Sequence, residues 1–193
     1  MTRRIIQGLL LAGAVAAGLA AVLLPPRVGH PVTQWMTDAA DAAAGRSLPP
    51  LPGFDPARPA VVLFILPGCP CSEEYEPLTQ RLATHIGPRA QVIGVITGTA
   101  DEAAAWQRRF RTPFPVVPDS DRSLARGMGA ERSAYTALIL DGKTIHRLWP
   151  GYSTEMLREI ADRLVGATDG EAGRFDATGA PDRLTSGCPI LDR

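Results

Sequence analysis

Two short apolar runs, VVLFIL at 61–66 and QVIGVIT at 91–97, constrain the fold more than any other feature of the chain. Both are rich in β-branched residues and show no polar alternation, as expected of strands buried on both faces of a parallel sheet. Each is followed by a stretch of helical character. After the first, Tyr75, Leu78, Leu82 and Ile86 recur at helical spacing until Gly87 and Pro88 stop them. After the second, ADEAAAWQRRF at 100–110 reads as a helix capped by Thr99 or Asp101. FPVVPD at 114–119 gives a short third strand, and SDRSLARGM at 120–128 a short helix ending near Gly127. TALIL and TIHRLW flank Asp141-Gly142 as a hairpin, and STEMLREIADRLVG at 153–166 is a closing helix capped by Ser153. The order βαβαβαββα predicts an α/β domain whose early strands are parallel with right-handed crossovers and whose last pair is antiparallel.

At 193 residues, 45% of them hydrophobic, the chain can bury one sizeable core with extensions on either side. At the N-terminus Arg3 and Arg4 precede an uncharged run at 5–24, which Pro25, Pro26 and Arg27 close. Twenty such residues make a helix of about 30 Å, enough to span a bilayer. The arginines ahead of it keep the N-terminus cytoplasmic and send the rest across. The expectation is a single-pass protein of the cell inner membrane with its C-terminal domain in the periplasm. A cleaved signal peptide is the alternative, with Val15-Ala16-Ala17 or Gly18-Leu19-Ala20 as the cleavage site. Residues 1–27 are thus an anchor or signal peptide and 28–58 a tether rich in Pro, Ala and Gly, with room for a short helix in QWMTDAADAAA. Residues 59–166 form the folded domain, and 167–193 a polar tail. Net charge is zero and the basic residues are scattered, so no nucleic-acid partner is expected.

Export changes how the three cysteines are read, because a thiol in an oxidising compartment is paired, catalytic or metal-bound. Cys69 stands between the carboxyl end of a predicted strand and the start of a helix, where open α/β sheets build their sites. Pro70 suits the first helical position, since its missing N–H costs nothing there. Cys69 is then the cap residue, its thiolate accepting from the amides of Cys71 and Ser72 and favoured by the helix dipole. Such placement lowers a thiol pKa from about 8.5 into the range of roughly 3.5–7.5. Glu73 and Glu74 serve the dipole of the same turn. His30, His85 and His146 read as surface residues, and Trp106 and Trp149 as core.

Residues from about 54 to 166 resemble the thioredoxin-like superfamily, in particular its membrane-anchored bacterial thiol–disulfide oxidoreductases and their redoxin, peroxiredoxin-like relatives. VVLFILPGCPCSEEYEPL is similar to that branch's strand, C-x-x-C loop and helix, with Pro77 at its kinking proline. VVPDSDRSLARGMGAERSAYTALILDGK resembles its later run of short helix, loop, strand and Asp-Gly turn. The resemblance implies a thioredoxin-like three-layer fold with a mixed central sheet. It also implies thiol–disulfide exchange with protein thiols or disulfides, or with a membrane redox partner, and no cofactor. Matched on Pro77, Cys69 takes the place of the nucleophilic first cysteine and Ser72 that of the second. The motif is then C-P-C-S, with Cys71 in a middle position. Ala134 stands at the family's cis-proline, which presents backbone to substrate, so Pro70, Ser72, Ala134 and Tyr135 are the residues expected around a substrate. A cis peptide before alanine costs about 2.5–4 kcal/mol, and a trans loop is expected there.

Peroxiredoxins carry Thr or Ser three residues before their cysteine, yet Leu66 and Gly68 hold those places here, and Arg132 alone is near enough to complete a peroxide pocket. Thiol–disulfide exchange through Cys69 is the favoured reading. A thiol peroxidase, a non-catalytic binding or scaffold module, and a Cu(I) site built from Cys69 and Cys71 with Cys188 or a histidine stand as alternatives. Because Ser72 cannot resolve a mixed disulfide, the tail is expected to fold back over the site. Cys188 then pairs with Cys69 or Cys71, by preference Cys71, and catalysis rests on Cys69, Cys71 and Cys188.

Overall fold

The computed structural model describes residues 29–166 and 173–191. The anchor or signal expected at 1–27 lies outside them, and no helix among the described residues is long and apolar enough to cross a membrane.

The two apolar runs become the centre of a five-stranded sheet. Strand β2 (Ala60–Ile65) pairs in parallel with β3 (Gln91–Ile96), which pairs in parallel with β4 (Val116–Pro118). On its other side β2 meets β5 (Thr136–Ile139) antiparallel, Leu63 opposite Thr136, and β6 (Arg147–Trp149) continues antiparallel to β5. The order is β4-β3-β2-β5-β6, a mixed sheet of thioredoxin-like type. Between β5 and β6 the Asp141 carboxylate accepts from the amides of Lys143 and Thr144, and Gly142 takes a φ of 70° that suits glycine.

Strand side chains alternate between the two faces, and β2 shows the consequence. Val61 and Leu63 face the helices α2 (Pro70–Ile86) and α5 (Thr154–Gly166), packing with Leu78, Leu82, Leu157 and Ile160. Val62 and Phe64 face the opposite cluster with Leu124 and Met128 of α4 (Ser123–Met128). The intervening α3 (Ala100–Phe110) covers the β4 side through Trp106, and a reciprocal capping box between Thr99 and Glu102 starts it. Trp106 and Trp149 are both buried.

The described segments outside 59–166 pack onto the domain. Residues 28–58 are not a free tether over their described part. Helix α1 (Gln34–Asp41) buries Met36 and Ala40 and packs against β6, while Ala43 and Leu51 join the same core. The tail is likewise part of the domain: Phe175, Ala177 and Ile190 are buried, and β7 (Thr185–Ser186) pairs antiparallel with β1 (His30–Pro31). The physical reason is the same at both ends. Short apolar contacts and backbone hydrogen bonds hold these segments, and neither leaves a long period in the sequence.

Candidate functional site

The site forms where β2 ends and α2 begins. Cys69 is the N-cap of α2 with Pro70 at the first helical position, and the chain reaches it through Gly68 at a φ of 71°. The expected cap geometry is corrected in one respect. The amides of Ser72 and Glu73 donate to the Cys69 carbonyl, at 3.0 and 3.2 Å, and the sulfur makes no capping bond. Ser72, at the second cysteine's place in the motif, is buried and its Oγ accepts from the Leu66 amide at 3.1 Å. It closes the turn covalently bonded to neither thiol. Pro70 is exposed.

The Cys69 sulfur is met from the other side by two groups far away in sequence. Ser133 Oγ lies 3.3 Å from it and Cys188 Sγ 3.1 Å. The three sulfurs of Cys69, Cys71 and Cys188 all lie within 4.8 Å of one another. Such an all-thiol set fits a soft cation such as Cu(I), and no histidine joins it among the described residues. The Cys188 thiol is part of a strap. Ser133 N–H donates to the Cys188 carbonyl at 2.9 Å, Gly187 N–H to the Ser133 carbonyl at 3.0 Å, and Ile190 N–H to the Glu131 carbonyl at 2.9 Å. Arg132 Nε adds a bond of 2.8 Å to the Gly187 carbonyl. Residues 187–191 therefore run along 131–133 much as a sheet partner would.

That loop is bent by Ala134, which has a φ of 61° and no cis peptide bond before it, as expected of alanine at this place. Its amide donates to the Phe64 carbonyl at 2.8 Å, and Phe64 returns a bond to the Tyr135 carbonyl at 3.0 Å. The loop is thus pinned to β2 within reach of Cys69. Tyr135, expected beside a substrate, is buried in the core cluster that holds Phe64.

Electrostatics separate the three thiols. Burial raises the Cys69 pKa, but hydrogen bonds from the Ser133 hydroxyl and the Cys188 thiol outweigh it, with smaller help from the backbone at Cys188 and at the start of α2, and bring it down to about 6. Burial and then the Cys69 charge push Cys71 up to about 12. Cys188 is raised, first by burial and then by its hydrogen bond with Cys69. One sulfur is a thiolate at neutral pH beside two that stay protonated. Ser133, the largest lowering influence, carries no motif and was not legible in the sequence. Around the site Tyr75 stacks on Tyr152 at 4.3 Å, and Glu73 pairs bidentately with Arg109.

Residues 54–149 match the AhpC/TSA family. Among curated proteins no sequence matches the chain with significance. Among solved structures the chain is similar to a thioredoxin-like protein determined in its oxidised form, at 15% identity over 65% of this chain and 97% of that one, with a TM-score of 0.54. A conserved protein of Geobacillus kaustophilus matches at 16% identity, 70% and 78% coverage and a TM-score of 0.53. The bacterioferritin comigratory protein of Xanthomonas campestris, studied for alkyl peroxide reduction, matches at 15% identity, 57% and 80% coverage and a TM-score of 0.50. The fold is thioredoxin-like, and the family match together with these structures supports a place for the chain in the thioredoxin-like redoxin superfamily.

Proposed function

We propose that this chain is a thiol–disulfide exchange protein whose working pair is Cys69 and Cys188, with Cys69 as the thiolate of the pair. The observation that carries it is the 3.1 Å approach of two sulfurs 119 positions apart, one of them held at a pKa of about 6. This contact favours Cys69 over Cys71 as the partner of Cys188. An i, i+2 bridge between Cys69 and Cys71 would need a strongly bent backbone, whereas both residues of the wider pair already stand at bonding reach. Mild oxidation should yield a monomer with Cys69 linked to Cys188, and the reduced form should pass its electrons to a small disulfide such as oxidised glutathione. The Cys69→Ser variant should form no such link and should stop at a mixed disulfide without completing the two-electron reduction of oxidised glutathione. Absence of any 69–188 link after oxidation would sink the reading.

A thiol peroxidase is the second reading, supported by the AhpC/TSA match and by the likeness to the Xanthomonas protein. Against it, Leu66 and Gly68 supply no hydroxyl at the places a peroxide pocket uses, and Arg132 is engaged with the Gly187 carbonyl. Hydrogen peroxide consumed faster than oxidised glutathione would favour it. We propose also that residues 5–24 tether the domain to the inner membrane with the site in the periplasm, a reading supported by Arg3 and Arg4 ahead of the apolar run. Release of the full-length protein into the soluble fraction, or protection of Cys188 from an impermeant thiol reagent after outer-membrane permeabilisation and mild reduction, would refute it.

A further inference from the structure

Cys69 and Cys71 are 3% and 2% exposed, whereas Cys188 is only half-buried. Cys69 has Ser133 on one side, the strap on another and the first turn of α2 beneath it. Disulfide exchange needs the incoming sulfur to approach the one it attacks, on the side opposite the leaving sulfur, so access decides which of two bonded sulfurs is attacked. Resting on the reading of Cys69 and Cys188 as the working pair, we infer that Cys188, not Cys69, is the sulfur through which the protein exchanges with its partner, and that this partner is a low-molecular-weight thiol.

The steps balance as follows. A thiolate RS⁻ attacks Cys188 Sγ of the oxidised pair, the R–S–S–Cys188 bond forms, the Cys188–Cys69 bond breaks, and the electron pair leaves on Cys69. A second thiolate attacks the sulfur of R, releasing RSSR and the Cys188 sulfur, which takes up a proton. Two thiols are oxidised to one disulfide and the protein disulfide is reduced to a dithiol. Read backwards, Cys69 is the internal nucleophile that expels RS⁻ from Cys188. The geometry suits this division of labour: the leaving sulfur is the one with the Ser133 hydroxyl 3.3 Å away, and leaving groups of low pKa depart faster. Cys71 stays protonated and does not compete with the incoming thiol.

The size of the partner follows from the strap. Where an extended polypeptide would add to residues 131–133, the main-chain groups of Glu131 and Ser133 are already bonded to 187–191, and Gly187 is packed so closely on Ser133 that a Cβ there would collide with the Ser133 hydroxyl. A small thiol needs no such edge. It needs only the exposed part of Cys188, beside which Arg132 is the charged neighbour.

The test uses glutathione as the probe on the full chain. Each variant, Cys69→Ser and Cys188→Ser, is reduced, exposed to oxidised glutathione, quenched and mapped by peptide mass. The Cys69→Ser variant should accumulate one glutathione on Cys188. The Cys188→Ser variant should acquire glutathione on Cys69 about tenfold more slowly, although its thiolate absorbance at 240 nm shows the site folded and ionised. Equal or faster labelling of Cys69 would overturn the inference, as would a glutathione adduct on Cys69 in the wild type. Because the wild type is also mapped after oxidation, loss of the 69–188 link itself would mark a failure of the pair rather than of the port.

Discussion

At Cys69 burial and hydrogen bonding act in opposite directions on one thiol, and hydrogen bonding wins because a hydroxyl and a second thiol both reach the sulfur. Thiolate absorbance at 240 nm in the reduced protein should therefore rise with a midpoint at about 6, and this phase should vanish in Cys69→Ser. The same shift carries a stability sign. The folded value lies below the unfolded 9.0, so Cys69 adds stability that grows from pH 6 to 9 and is lost as pH falls through about 6. Cys71, raised to about 12, costs stability only above 9.0. The difference in denaturation midpoint between the reduced wild type and Cys69→Ser should accordingly widen between pH 6 and 9. A flat difference would show that the thiolate is not specially stabilised. Ala134 makes a second prediction at this scale. Proline fixes φ near −65° and has no N–H, while Ala134 has a φ of 61° and donates to Phe64. Ala134→Pro should destabilise the fold by about 3 kcal/mol or more, measured by denaturant unfolding, even though proline is the residue the thioredoxin-like resemblance would place there. The place of Cys69 at the N-cap of α2 was legible in the sequence because a position between strand and helix is a local property. Ser133 was not, because it meets Cys69 only after 64 positions of chain have folded.

The elements of the central domain could be read from periodicity because each buries a face long enough to leave a pattern. β2 is buried throughout its six residues, and α2 repeats its apolar positions over seventeen. The flanking segments leave none. Helix α1 is eight residues long with two buried, and the strap is held by main-chain bonds to which any residue type could contribute. Proline, alanine and glycine in 28–58 read as a linker, although Ala40 and Ala43 are small because they fit against the core. Gly187 is the sensitive point of the strap. An alanine Cβ there would collide with Ser133 Oγ and lie 2.7 Å from the Ser133 carbonyl oxygen, both on the loop that faces Cys69. Gly187→Ala should lift the strap, slow formation of the 69–188 disulfide and leave all three cysteines in the chain. The check is the rate at which free thiols disappear under a fixed oxidant; an unchanged rate would mean that the strap does not position Cys188.

Across the described molecule, the segments flanking the central domain meet: β1 pairs with β7 while the strap lies on the loop leading into β5. A Cys69–Cys188 disulfide would tie the start of α2 to this closing segment and enclose 119 positions of chain, most of the central domain. In the native state it would add little, since the sulfurs are already adjacent. Its effect falls on the unfolded state, whose loop it closes. By the chain-entropy argument a ring of about 100 residues contributes roughly 4.7 kcal/mol, while a Cys69–Cys71 ring is too short to contribute comparably. The oxidised protein should thus melt roughly 10–20 °C above the reduced one, taking about 2–4 °C per kcal/mol for a chain of this size. Cys188→Ser, which can close only the short ring, should show no such gap between its oxidised and reduced forms. Equal melting temperatures for oxidised and reduced wild type would place the disulfide within the Cys69–Cys71 turn, and a gap that survives in Cys188→Ser would locate the stabilisation away from the strap altogether.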